Sequence, residues 1–247
     1  MFRKNDELAP ISVTGLVDNL FPKFDPDETI RLYYSRWQAS EASKYKDIID
    51  TAPDDETAKM IIKQEWAMTN QLACELGSSL HKAIECILND QQHGEECVDG
   101  ELQSFYEWRG EWAKMHRLTP YRTELAVFGL DMNASPVIAG MVDAIFQDDK
   151  KRFWLLDWKR TSKPFGPHEH SFGRSGLGDA CLLADTKHSR YSLQLACYAL
   201  LLKATLGIDV GDRRYLVRLT SQGYEVVEAE RAFSSIAARR ALQSIGC

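Results

Sequence analysis

Two acids and a lysine interrupt apolar segments in the middle of the chain: Asp143 within Val137–Gln147, and Asp157 and Lys159 within Phe153–Lys159. Both segments are β-prone and flank five polar residues, Asp148–Arg152, a pattern that predicts a hairpin of two strands. Side chains alternate faces along a strand, so Asp157 and Lys159 share a face with Phe153 and Leu155. With the hairpin centred on Lys150, residues whose numbers add to 300 pair, which sets Asp143 opposite Asp157. Their Cβ atoms would lie about 5 Å apart. Like charges placed so, inside apolar strands, destabilise a sheet, and a bound cation removes the conflict. Oxygen ligands suit Mg²⁺ or Mn²⁺, and Lys159 beside them suits a metal-assisted attack on phosphate.

Three further features fit around these strands. His81 and Glu85 are four apart and share a helix face, where the histidine offers a third metal ligand or is an ordinary surface or core residue. Gln194 and Tyr198 share one face of an otherwise apolar helix and need polar partners, from the sheet or from solvent at a helix edge. Glu124 opens a strand, facing the site or ending it in solvent.

The elements that must position these residues read as follows. Ser12 or Thr14 caps a short helix ending before Pro22, and Asp25-Pro26-Asp27-Glu28 starts a second. Ala52–Glu56 starts a third through Met60, Ile61, Trp66 and Leu72, which Gly77-Ser78-Ser79 interrupts before a stripe from Leu80 to about Asp90. After a polar loop to Gly100, Leu102–Trp112 marks another helix, ending before Pro120. Strands follow from Tyr121: Glu124–Leu130, the hairpin, and later Arg214–Leu219 with Tyr224–Val227. Thr161–Arg190, rich in glycine, proline and histidine, reads as a long loop beside the site. Tyr191–Leu206 is an apolar helix stopped at Gly207, and Ala232–Ile245 closes the chain. The expectation is one α/β domain over 1–247: a mainly helical part at 1–120, a sheet with the site at 121–230, and a C-terminal helix at 231–247.

Composition fits an ordinary globular protein, with 44% hydrophobic and 27% charged residues among 247. Met1–Glu7 leads into no apolar segment of a secretory signal, and the longest apolar run, Leu195–Leu202, is too short to span a bilayer. An intracellular protein without a membrane partner is expected. Six cysteines show no metal-like spacing, and Cys86 and Cys197 read as buried thiols. The net charge of −6 is unevenly spread. Residues 1–149 hold 14 Lys/Arg against 27 Asp/Glu, whereas 150–218 hold 13 against 6. The basic third begins at the site, and such a field can track phosphates. Lys150, Lys151, Arg152, Arg160, Lys163, Arg174, Arg190, Arg213 and Arg214 are its candidate DNA contacts.

Taken in order, Gly77-x-x-x-His81-x-x-x-Glu85, Glu124, Gly140-x-x-Asp143, Asp157-x-Lys159 and Gln194-x-x-x-Tyr198 resemble the PD-(D/E)XK nuclease superfamily. The resemblance is to its RecB/Cas4/lambda-exonuclease-like branch. The opening Ser12–Val17 with Phe21–Asp25 is similar to phage and viral nucleases of that branch and to mitochondrial genome maintenance exonuclease. It covers about residues 11–220. The resemblance implies a restriction-endonuclease-like core, a mixed central sheet of about five strands flanked by helices. It implies that Asp143, Asp157 and the carbonyl following Asp157 hold one or two Mg²⁺ or Mn²⁺ ions, with His81 completing the shell. Lys159 would act on the attacking water and the phosphate, and Gln194 and Tyr198 would orient the site or the DNA backbone. Glu85 and Glu124 carry over as supporting residues. Iron–sulfur members of the branch place a cysteine before the proline of the opening segment and three more near the C-terminus. Phe21 stands before Pro22 here and Cys247 alone follows Cys197, so no iron–sulfur cluster is expected.

The function these features point to is metal-dependent hydrolysis of phosphodiester bonds in DNA. Single strands or free ends would be the substrate, in recombination, repair or replication, with a helicase or recombination protein as partner. An endonuclease of the same fold, a catalytically silent DNA-binding module and an unrelated α/β protein with a chance D-x-K are the alternatives.

Overall fold

The computed structural model describes residues 10–94 and 98–247, so the leader-free reading of Met1–Glu7 and Cys97 lie outside it. Six strands are ordered β1 (Ile11–Ser12), β2 (Thr119–Leu130), β3 (Pro136–Gln147), β4 (Phe153–Arg160), β5 (Arg214–Thr220) and β6 (Gly223–Glu228). The α-helices are α1 (Val13–Asn19), α2 (Pro26–Ala39), α3 (Lys46–Thr51), α4 (Asp55–Leu88), α5 (Asp99–Trp108), α6 (Lys187–Leu206) and α7 (Ala232–Ser244). The fold is α/β with a helical N-terminal half. Lys23–Ser78 form one compact unit, and the rest of the described chain forms a second that holds the sheet.

The sheet runs β1-β3-β4-β5-β6, with β2 on the other edge of β3. β1 pairs with β3 and β4 with β5 in parallel, and the remaining pairs are antiparallel, so the sheet is mixed. It has one strand more than expected. Ile11–Ser12 is too short to show a period, and only tertiary pairing makes it a strand. β3 meets β4 from Ala144↔Leu156 to Gln147↔Phe153, and each pair adds to 300.

Local chemistry explains the helices. Asp25 caps α2 by accepting the Glu28 N–H at 3.0 Å, with Pro26 in the first turn. α4 is continuous, so Gly77-Ser78-Ser79 does not break it. Ser78 bonds back to the Cys74 carbonyl at 3.0 Å, and a mid-helix glycine costs only about 1 kcal/mol against the packing that holds its two ends. α6 starts four residues before Tyr191, because Thr186 caps it by accepting the Ser189 N–H at 3.1 Å. The long loop is shorter by that turn. α5 continues into a π-turn over Arg109–Ala113, and β2 opens already at Thr119.

In the sheet-bearing unit one core joins Val13, Leu16, Val17 and Phe21 to Ile138, Val142, Ile145 and Leu155, and these to Leu193, Ala196, Cys197, Tyr198, Ala238 and Leu242. Aromatic rings fill the side beneath α5: Trp158 meets Phe105 at 5.4 Å and Trp108 at 4.9 Å between centroids, edge to face. Cys86 and Cys197 are buried free thiols. No helix among the described residues is long and apolar enough to cross a membrane.

The turn of the β3–β4 hairpin is built on one buried carboxylate. Asp148 Oδ1 accepts the N–H groups of Lys150 and Arg152 at 3.0 and 2.9 Å. Its Oδ2 accepts from Arg152 Nε at 2.7 Å and Trp154 Nε1 at 3.1 Å. Burial pushes this carboxyl up, but the donors overcome it and hold its pKa down at about 2. Because the folded value lies below the ordinary 3.8, the contribution is complete above that pH and is lost as pH falls through about 2. Asp148→Asn should destabilise the fold by about 2 kcal/mol at neutral pH. Urea unfolding measured across pH should show the gap to wild type narrowing below about pH 4.

Candidate active site

The site forms where β3 and β4 part. One edge of β3 pairs with β4 as far as Ala144 and with β1 at Ile138–Ala139, leaving Gly140–Asp143 between them. Beyond the last ladder pair a side chain takes over the strand contact: Asp143 Oδ2 accepts the Trp158 N–H at 2.9 Å. Gly140 is required by close approach. A Cβ there would lie 2.6 Å from Tyr198 Cε1 and 2.9 Å from Val13 Cγ2, so α1 and α6 could not both pack against this strand.

α4 delivers His81, three residues before the fully buried Ile84 and next to the fully buried Leu80. Its Nε2 lies 2.9 Å from the Trp158 carbonyl and therefore carries the proton, while Nδ1 is 3.4 Å from Asp143 Oδ2. Burial pulls the imidazolium down, but the Asp143 carboxylate outweighs it and His81 is raised to about 9. Burial likewise pushes Asp143 up, and His81 and Lys159 more than offset it, so its carboxyl lies below the ordinary value.

Asp157 is buried beside them. Lys159 Nζ sits 2.7 Å from its Oδ2, and no backbone or other side-chain donor reaches either oxygen. Burial, with Asp143 adding to it, raises Asp157 to about 6 against the pull of Lys159. Burial lowers the Lys159 ammonium, but the two carboxylates hold it above the ordinary lysine range. Lys159 is further held by Gln194 Oε1 at 3.4 Å and by the Tyr191 ring, whose centroid is 4.6 Å from Nζ. Gln194 Nε2 donates to Tyr198 Oη at 3.2 Å and to Thr14 Oγ1 at 3.5 Å.

Glu124 enters from β2 between the pairs Thr123↔Ala144 and Leu125↔Val142, a register that sets it beside Asp143, and its φ is +43°. Ligand atoms of His81, Glu124 and Asp143 lie within 4.8 Å of one another. Burial, helped by Asp143, raises Glu124 to about 7. Three acids, one of them buried against Lys159, and an imidazole facing one backbone carbonyl form a donor set suited to a hard divalent cation.

No family model matches the chain, and no curated protein matches it. Among solved structures it is similar to one described as "Crystal structure of SSO0001", with 14% identity and a TM-score of 0.37, covering 99% of this chain and 77% of that one. A likeness that low carries no argument.

The structure thus brings together His81, Glu124, Asp143, Asp157, Lys159, Gln194 and Tyr198. Glu85 is paired with Lys82 at 2.9 Å and is near enough to help push Glu124 up, but it is not one of the grouped ligand residues. Thr14 and Tyr191 were not singled out in the sequence. Tyr191 precedes Gln194 by three on the same helix, a spacing that could have found it; Thr14 arrives by tertiary packing alone.

The basic candidates are dispersed. Lys150, Lys151 and Arg152 lie at the hairpin turn, five residues or about 16 Å along the strands from the acidic pair. Arg152 is bound to Asp148, Arg160 to Glu101 at 2.8 Å, and Arg174 to Asp185 at 3.5 Å. Arg190 holds Asp185 at 2.8 Å and the Pro22 carbonyl at 2.9 Å. Arg213 donates to the Phe153 carbonyl at 2.8 Å, and Arg214 is buried against α7 near Ser235. Lys150, Lys151 and Lys163 are exposed and make no ion pair among the described residues.

Metal and proton compete for His81 and Glu124. Mn²⁺ affinity should therefore rise with pH through about 7 and level off above about 9. Calorimetry in buffers of different ionisation enthalpy should register the released proton, and His81→Ala should reduce that release.

Proposed function

We propose that this chain is a metal-dependent deoxyribonuclease. The observation that carries the reading is the buried Asp157 carboxylate, whose close partner is Lys159 Nζ at 2.7 Å and which shares its cleft with Asp143. The order of motifs along the chain supports the same reading.

Asp143, Asp157, Glu124 and His81 would hold Mg²⁺ or Mn²⁺, together with the Trp158 carbonyl once His81 gives up its Nε2 proton. The ion would supply a Lewis acid for the phosphoryl group and lower the pKa of water. Lys159 stays an ammonium, because the carboxylates hold it above its ordinary value. It is thus a hydrogen-bond donor at Nζ that offsets phosphate charge and orients a water, and it takes no proton itself. Gln194 fixes that ammonium through Oε1 and is itself fixed by Tyr198 and Thr14. Burial raises Tyr198 to about 12, so it remains a neutral phenol and adds no charge to the cleft.

Action at DNA ends is part of the proposal and rests on the motif order. End-labelled linear and circular DNA, single- and double-stranded, tests it in Mg²⁺ or Mn²⁺, and cleavage of circles at the linear rate would make the enzyme an endonuclease. Lys159→Ala should retain Mn²⁺ binding while hydrolysis falls by at least about 100-fold, the scale set by losing one preorganised donor. Undiminished cleavage by that variant would refute the assignment.

A further inference from the structure

The compact unit of residues 23–78 carries an aromatic patch that the candidate active site does not use. Five rings run in contact from Tyr33 to Trp37 (6.2 Å), Tyr45 (4.6 Å), Trp66 (6.0 Å) and Phe24 (5.3 Å). The middle of the run is core, with Tyr45 buried and Trp66 Nε1 donating to its hydroxyl at 2.6 Å. Its two ends are not: Phe24 is 66% and Tyr33 45% exposed. Tyr33 lies on α2, and Phe24 stands in the connector two residues before that helix, its ring edge-on to Trp66 of α4.

The charges around the patch are arranged unlike those elsewhere in the unit. Of its seven Lys/Arg, Arg31, Lys46, Lys59 and Lys63 are paired with carboxylates of the unit. The three that are not, Lys23, Arg36 and Lys44, all adjoin the rings. Lys23 precedes Phe24, Arg36 lies three residues after Tyr33 on α2, and Lys44 Nζ is 4.4 Å from the Tyr45 centroid. Five of the unit's eleven acids are engaged in those ion pairs. Asp25 and Asp54 cap helices, and Asp55 accepts from the Tyr34 hydroxyl. With seven Lys/Arg against eleven Asp/Glu the unit is acidic overall, and the three unpaired cations are a local feature beside the rings.

We infer that this patch holds a single-stranded nucleic acid by stacking unpaired bases on Phe24 and Tyr33, with Lys23, Arg36 and Lys44 at its phosphates. Exposed flat rings flanked by uncommitted cations suit a base and its phosphate, whereas a duplex offers no free base face. On a unit that is acidic overall, stacking supplies the affinity. Three phosphate contacts give a logarithmic salt slope of at most about 2 in magnitude. That the strand is DNA rests on the nuclease reading; the stacking does not.

The test uses the full chain in EDTA, which stops metal-dependent cleavage, and fluorescence anisotropy. The probes are a labelled thymidine oligonucleotide of about 20 nucleotides, longer than one such site needs, the matching duplex, and an abasic strand of equal length. The thymidine strand should bind best, with a shallow salt slope. Phe24→Ala with Tyr33→Ala should weaken it about tenfold or more, a loss on the scale of one to two stacked bases. Phe24→Leu keeps apolar area without a ring and should bind less well than wild type, whereas Phe24→Trp should bind at least as well. Equal binding of thymidine and abasic strands, wild-type binding by the double variant or by Phe24→Leu, or no measurable binding by wild type would each overturn the inference. Cleavage by wild type in Mg²⁺ or Mn²⁺ reports on the nuclease reading, and binding in EDTA by wild type and the ring variants reports on this one, so failure of either is told apart from failure of the other.

Discussion

One carboxylate standing in for a strand partner sets up the site. β3 and β4 pair through their backbones up to Ala144 and Leu156, and the next contact is the Asp143 side chain on the Trp158 N–H. That substitution lets the strands part, which frees the Trp158 carbonyl for His81 and leaves Asp157 in the cleft with Lys159 as its close partner. Removing a carboxylate from water costs several kcal/mol per ion unless partners compensate. Here the His81 imidazolium and the Lys159 ammonium stand against Asp143 and Asp157, and burial beside them keeps Glu124 well above its ordinary pKa. On the proposed reading, Asp143, Asp157, Glu124 and His81 would hold a divalent cation, which would supply the positive charge that three acids in one cleft call for.

The parting of the strands has to be rigid, and packing on both faces of β4 makes it so. Trp158 presents its backbone to the site and its indole to Phe105 and Trp108, so movement of the carbonyl would disturb a filled aromatic core. On the other side Gly140 lets Tyr198 and Val13 come within contact of the β3 backbone. Tyr198 then reaches Gln194, which reaches Lys159. Positioning of the ammonium is thus relayed from a missing Cβ on β3.

What could be read from the sequence is what local periodicity encodes. The hairpin register follows from two apolar runs around a short polar turn, and His81 and Gln194 follow from helical spacing. β1, Thr14 and the positive φ of Glu124 leave no such trace, because each exists only through contacts with distant segments. Gly77 misled in the opposite sense: a residue that weakens a helix locally sits inside a 34-residue one, where cooperativity along α4 outweighs a single unfavourable position. The start of α6 was drawn one turn too late, since Thr186 caps it through a hydroxyl that resembles any other loop threonine.

Charge is the property that sequence blocks represent least well. The stretch 150–218 is strongly basic in composition, yet its arginines are spent on Asp148, Glu101, Asp185 and backbone carbonyls, where they fasten the hairpin turn and the long loop. An arginine with a rigid fork of donors is well suited to that fastening, and once so used it adds little to the outward field. In the acidic stretch the pairing is as selective: in residues 23–78 four of the seven cations are committed to ion pairs, so the three left without a partner stand out locally in a unit that is acidic by count. A chain of net charge −6 can therefore meet a polyanion at chosen places. What decides those places is which cations lack an internal partner, and that is settled by tertiary structure, one pair at a time.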